Sequence, residues 1–174
     1  MGAQRITGDA LRAETYREQV AAADTLVHLI GIPRPSPAKA AEFRRVDLVS
    51  VEAAVSAAVE ARVAHFVYLS VAQPAPVMQA YVSVRREGEE LIRRSGLPAT
   101  MLRPWYVLGP GHRWPSLLIP FYAMLSAIPS TRGGARRLGL VTRGQMIAAL
   151  VRAVEHPTAG TRIVEVPEIR MGAA

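Results

Sequence analysis

Tyr81 and Arg85 stand four residues apart in the stretch "AYVSVRREGEELIRRSG", and Ser70 closes the apolar run "HFVYLS" just upstream. On a helix, a spacing of four puts a phenol and a fixed cation on one face, one turn apart. A free tyrosine titrates near pH ~10. A neighbouring positive charge favours the phenolate and fits the phenol for proton transfer near neutrality. A hydroxyl, a phenol and a cation gathered at the end of a strand can polarise a carbonyl and pass it a proton. Alone, the Y-x-x-x-R spacing is met more often as a surface tyrosine beside a solvated arginine, so the surrounding elements decide what it is worth.

Those elements alternate. The spacing of apolar residues predicts a helix over 11–23 with Asp9 at its start, and a buried strand over 25–31 closed by Gly31. Three prolines make 32–40 a loop, and 46–63 is an alanine-rich helix. A second buried strand covers 65–70, a proline-bearing loop 71–78, and a helix 80–96 that ends on a glycine cap. A third strand, 99–104, stops at Pro104; a helix over 144–157 and a strand over 161–167 close the chain. Strands too apolar to have a wet face, each followed by a helix, imply a parallel sheet covered on both sides. In such open sheets a ligand sits at the carboxyl ends of the strands. Here those ends carry Gly31, Ser70 and the Arg103–Pro104 pair.

Composition narrows the function classes. The 174 residues suit one domain, and half are apolar, enough to bury a sizeable core. There is no cysteine, which excludes disulfides and thiolate metal sites, and no His/Asp/Glu spacing suggests a metal. The net charge of +7 is almost all arginine, Lys39 being the one lysine. The arginines are scattered as pairs, and aromatics make up only 6%, so no nucleic-acid-binding stripe is expected. The longest apolar run, 116–128, is broken by Pro120 and is too short for a membrane span. The N-terminus lacks an apolar signal region, and a cytoplasmic location is expected.

Several motifs in order carry a family resemblance: "YLS" (68–70), Tyr81, Arg85, Glu89, "SGL" (95–97), "MLRP" (101–104) and "VLGPG" (107–111). With "GDA" (8–10) and "ADTLVHLIG" (23–31), they resemble the extended and atypical short-chain dehydrogenase/reductases, of NmrA-like or epimerase-like type. The resemblance covers nearly the whole chain. It implies an α/β, Rossmann-like, doubly wound and mostly parallel sheet, one domain over 1–174, with 105–143 as a substrate-side loop and helix region. It implies Ser70, Tyr81 and Arg85 as the catalytic set. Asp9, Ala10, Gly31, Arg85, Pro104 and Val107 would touch NAD or NADP. His112, Arg113 and Trp114, just past the "GPG", would meet a small-molecule substrate. A homodimer or larger complex is compatible with it.

The sequence departs from the family pattern twice. The family holds the pyrophosphate of its dinucleotide on a G-x-x-G-x-x-G turn, and no such motif occurs here. The resemblance starts where the family's third strand ends, so the first glycine-rich β-α-β unit is absent and weak dinucleotide binding is expected. Arg85 also stands where the family has lysine, with a longer and differently aimed head. Three functions follow from the resemblance: oxidoreduction or epimerisation of a small carbonyl, hydroxyl or sugar-nucleotide substrate; a non-catalytic nucleotide-sensing or scaffold subunit, like a respiratory-complex accessory subunit of this fold; or an inactive piece whose glycine turn lies upstream. Elsewhere, His28 is expected to be a core histidine. Glu87, Glu89 and Glu90 are expected to be solvated and paired with Arg86, Arg93 and Arg94. The first of the strands, Thr25–Ile30, is expected to have an unpaired edge.

Overall fold

The computed structural model describes residues 3–108 and 138–171. Four strands form one parallel sheet: β1 (Thr25–His28), β2 (His65–Leu69), β3 (Ala99–Arg103) and β6 (Thr161–Glu165), in the order β1-β2-β3-β6. A two-stranded parallel pair, β4 (Tyr106–Leu108) with β5 (Leu140–Thr142), stands apart from it. The helices are α1 (Val49–Glu60), α2 (Gln79–Ser95), α3 (Arg143–Glu155) and α4 (Val166–Met171). Residues alternate across the pleat of β2. Phe66 and Tyr68 pack with α1, α2 and β3 on one face, while Val67 packs with α3, α4 and β6 on the other. Helices on both faces of a parallel sheet are the doubly wound architecture that the sequence implies.

The local chemistry of the sequence sets most boundaries. Gly96 adopts the left-handed conformation, φ +75°, that ends α2. Thr142 and Gln145 exchange the reciprocal hydrogen bonds of a capping box at the start of α3. Gly88 gives α2 its close seat on β2, because a Cβ there would stand 2.7 Å from the Tyr68 hydroxyl oxygen.

Two segments differ from the sequence expectation. The helix expected over 11–23 is only a 3-10 turn (Ala13–Thr15) and a single α-turn (Arg17–Val20), with no fully buried residue. A helix this short is marginal in water unless packing holds it. Asp9 accepts a hydrogen bond from the Leu11 amide, which makes a local turn rather than the cap of a long helix. The helix expected from residue 46 begins earlier: turns at Pro37–Lys39, Ala40–Glu42 and Phe43–Leu48 run into α1. Pro37 sits in the first turn, the one helical position that tolerates its missing N–H. The Phe43–Leu48 turn is a π-turn, and it brings Phe43 and Asp47 to the buried face together.

Strand β1 is shorter than expected, and it is the edge of the sheet rather than a buried strand, with Val27 39% exposed. The edge position agrees with the expectation for residues 25–30. The His65 amide donates to the Asp24 carbonyl, which sets the alternation along the ladder. Leu26 and His28 therefore point their backbone groups at β2, and Thr25 and Val27 point theirs at the side that no described strand pairs with. In hydrogen exchange the Thr25 and Val27 amides are expected to exchange fast, and those of Leu26 and His28 slowly, in the monomeric chain. Equal protection of all four would mean that another strand fills that edge.

Candidate functional site

The carboxyl ends of β2 and β3 open onto a cleft of about 560 Å³. Ser70 and Tyr81 line it together with Pro104, Trp105 and Val107. Ser70 continues the ladder past β2, its amide donating to the Leu102 carbonyl at 2.8 Å. Tyr81 sits in the first turn of α2, half-buried, with its ring edge-on to Phe43 at 5.1 Å. Among the described residues the Tyr81 hydroxyl has no hydrogen-bond partner, so its O–H is open to a ligand in the cleft. Met78, just before α2, lines the same cleft in a left-handed conformation, φ 58°. A non-glycine residue there is strained by roughly 1 kcal/mol or more.

Arg85, one turn below Tyr81, is buried. Its Nη1 donates to the Leu69 carbonyl at 3.0 Å, and its Nη2 to the Ile30 carbonyl at 3.3 Å and to Asp47 Oδ2 at 3.2 Å. The guanidinium lies 5.2 Å from the centre of the Tyr81 ring and 5.8 Å from that of Tyr68. One cation thus ties together the carboxyl ends of β1 and β2 and the buried Asp47, and lies against two phenols. Gly31 allows this, since a Cβ there would collide with the guanidinium. The Asp47 carboxylate also accepts from the Ile32 amide at 2.8 Å. Burial pushes the Tyr68 phenol up to about 12, against the opposing pull of Arg85. Burial and the Arg85 charge lower His28 to about 4, so it is a neutral core histidine bonded through Nε2 to Ser50.

Glu89, one further turn along the same helix face, corrects the expectation of a solvated carboxylate: it is fully buried. It accepts from Ser70 Oγ at 2.6 Å, Gln73 Nε2 at 2.8 Å, Arg93 Nη2 at 2.8 Å and both Nε and Nη2 of Arg103. Burial pushes its pKa up, but the hydrogen bonds from Arg103 and Ser70 outweigh it and hold the group below the usual carboxylate range. Glu87 pairs with Arg44, and Glu90 with Arg93 and Arg94. Arg86 instead donates to Gln73 at 3.0 Å. The sequence held a signal for Glu89: residues 81, 85 and 89 share one helix face, and the first two already point inward. Nothing in the sequence marked Asp47.

The remaining expected residues fall in different places. Ala10 lines a second groove of about 420 Å³ along β1, with Ile6, Tyr16, Leu26 and His28. Asp9 is exposed in its local turn. His112, Arg113 and Trp114 lie outside the described residues. Among the described residues no cluster of three or more His, Asp or Glu side chains could hold a metal, and no helix is long and apolar enough to cross a membrane.

A parallel sheet wound on both faces is a Rossmann-like fold, and Ser70 and Tyr81 line one cleft at the carboxyl ends of its strands. Solved structures with this fold superpose on it. The Bordetella bronchiseptica enzyme WbmH, in complex with NAD+, matches 92% of this chain and 61% of its own at 21% identity, with a TM-score of 0.64. UDP-N-acetylglucosamine 4-epimerase from Bacillus cereus matches 91% and 64% at 17% identity, TM-score 0.66. A short-chain dehydrogenase/reductase superfamily protein from Agrobacterium tumefaciens, with bound NAD, matches 95% and 66% at 17% identity, TM-score 0.65. The chain thus spans less than two thirds of each of these structures, and at such identities the likeness is one of fold. No family model and no curated protein matches the sequence.

Proposed function

We propose that this chain binds NAD or NADP weakly, as a short-chain-dehydrogenase-like protein, and that its cleft works on a small carbonyl, hydroxyl or sugar-nucleotide substrate. The observation that carries the reading is the meeting of Ser70 and the unpartnered Tyr81 hydroxyl in one cleft with Pro104 and Val107. Those residues suit the nicotinamide end of a dinucleotide. For the pyrophosphate the chain offers no glycine turn, which is the reason for weak affinity. The dinucleotide, when bound, supplies or accepts the hydride.

The chain's own residues would handle the proton. Tyr81 donates its phenolic proton to a carbonyl oxygen, leaving the phenolate, and in the reverse direction the phenolate takes a proton from an alcohol. Arg85 acts on it as a buried charge against the ring, since both of its terminal nitrogens are engaged by Leu69, Ile30 and Asp47. The Ser70 hydroxyl donates its hydrogen bond to the Glu89 carboxylate. Ser70 therefore turns lone pairs toward the cleft, where they receive a substrate hydroxyl or the Tyr81 O–H. The engagement of Arg85 is also the observation that favours the second reading, a nucleotide-binding subunit without turnover.

Tyr81→Phe separates the two. With NADH or NADPH oxidation followed across a panel of small carbonyls, the substitution is expected to cut turnover by about a hundredfold or more. Dinucleotide affinity should stay nearly unchanged, because the lost proton matters to the transition state. Turnover that survives the substitution would overturn the role of Tyr81. Absence of turnover in the native chain across the panel would favour the binding subunit.

A further inference from the structure

Helix α3 carries an exposed apolar stripe that no other described element covers. Met146, Ala149 and Ala153 pack against the sheet. On the other side Ile147 is 53% exposed, Val151 47% and Val154 40%. Arg143 and Glu155 continue the stripe at both ends, each exposed. Positions 143, 147, 151 and 155 are four apart, so they form a single ridge of the helix.

The end charges of that ridge have the wrong sign for their own helix. A helix N-terminus favours anions and its C-terminus cations, yet Arg143 opens α3 and Glu155 closes it. Among the described residues neither has an ion-pair partner. Laid antiparallel against a copy of itself about a two-fold axis at residue 149, the ridge is complementary throughout. Arg143 then faces Glu155 of the copy, and Ile147 faces its Val151, with each pair occurring twice. The charges lie about 9 Å to either side of the axis at 1.5 Å per residue. The opposed helix ends also bring each charge beside a terminus of favourable sign.

We propose that this face of α3 is an isologous dimer interface, occupied by α3 of a second copy of the chain. The proposal is independent of the reading of the cleft. Sedimentation equilibrium of the full chain, over a wide concentration range, tests it with surface variants that leave the core intact. To keep pairing at the β1 edge from contributing, all proteins carry Val27→Lys, a charge of the kind that blocks strand addition. A concentration-dependent dimer is expected. Arg143→Glu alone and Glu155→Arg alone should each weaken it about tenfold or more, since each sets like charges face to face in both symmetry-related pairs. The double reversal should restore the parent affinity to within about threefold, because it rebuilds both pairs with the signs exchanged. Val151→Asp should leave a monomer. A chain that stays monomeric throughout, or a dimer that no charge reversal or Val151→Asp weakens, would overturn the proposal.

Discussion

Glu89→Gln is expected to destabilise the folded chain by about 3 kcal/mol in urea unfolding, among the largest effects of any conservative change. The substitution preserves shape but removes the charge that serves four donors from three segments: Ser70 and Gln73 after β2, Arg93 on α2 and Arg103 on β3. Arg103, only 13% exposed in its side chain, would keep just the more distant Glu165 at 3.7 Å. Removing one member of a buried ion pair typically costs about 3–5 kcal/mol, because the other charge stays buried without its partner. Arg93 is a third exposed and can turn to water, which places the expectation at the lower end. The new amide would also present an N–H to groups that are themselves donors. A loss under about 1 kcal/mol would mean that the five hydrogen bonds do not act as a unit.

Arg85→Met is expected to cost a similar amount, about 3–4 kcal/mol. It strips the cation from Asp47, which is wholly buried and would retain only its hydrogen bond from the Ile32 amide. It also leaves the carbonyls of Leu69 and Ile30 without the donors that bind them. Combining it with Asp47→Asn should recover about 2 kcal/mol of the sum of the single losses, because the uncompensated charge disappears. Arg85→Lys should lose less, about 1–2 kcal/mol: the charge remains, but the planar fork that reaches two carbonyls and a carboxylate does not. If lysine there raises turnover despite that loss, the arginine stands in for a lysine at a working site. Additive losses for Arg85→Met and Asp47→Asn would show that the two side chains do not depend on each other.

The sheet was legible because its strands announce themselves. β2 and β3 are short apolar runs, each stopped by a marked residue, and α2 ends on the one glycine whose left-handed conformation the cap requires. The N-terminal helix was misread because periodicity measures a face, and that face finds little to bury against. The start of the α1 region was misread because prolines in sequence look like a loop, while Pro37 occupies the first turn of a helix. Within the site, Ser70 and Tyr81 were legible from their place among the alternating elements and the ordered motifs around them, not from type and spacing alone. Asp47 was not legible, since an isolated acid on a helix reads as solvated; Glu89 was read as solvated too, although it continues the helix face of residues 81 and 85. Each is buried only because arginines distant in sequence arrive to meet it: Arg85 lies 38 residues from Asp47, and Arg103 lies 14 from Glu89. Pairings of that kind are made by the topology, and local sequence carries no record of them.

The central claim is that the cleft beside Ser70 and Tyr81 receives the nicotinamide end of a dinucleotide. Amide chemical shifts followed during titration of the chain with NADH and NADPH test it most directly. The account predicts saturable shifts gathered at Gly31, Ser70, Tyr81 and Val107, with half-saturation well above the micromolar range. Shifts confined to the groove along β1, no shifts at these four residues up to the solubility of the dinucleotide, or saturation at micromolar concentration would contradict it.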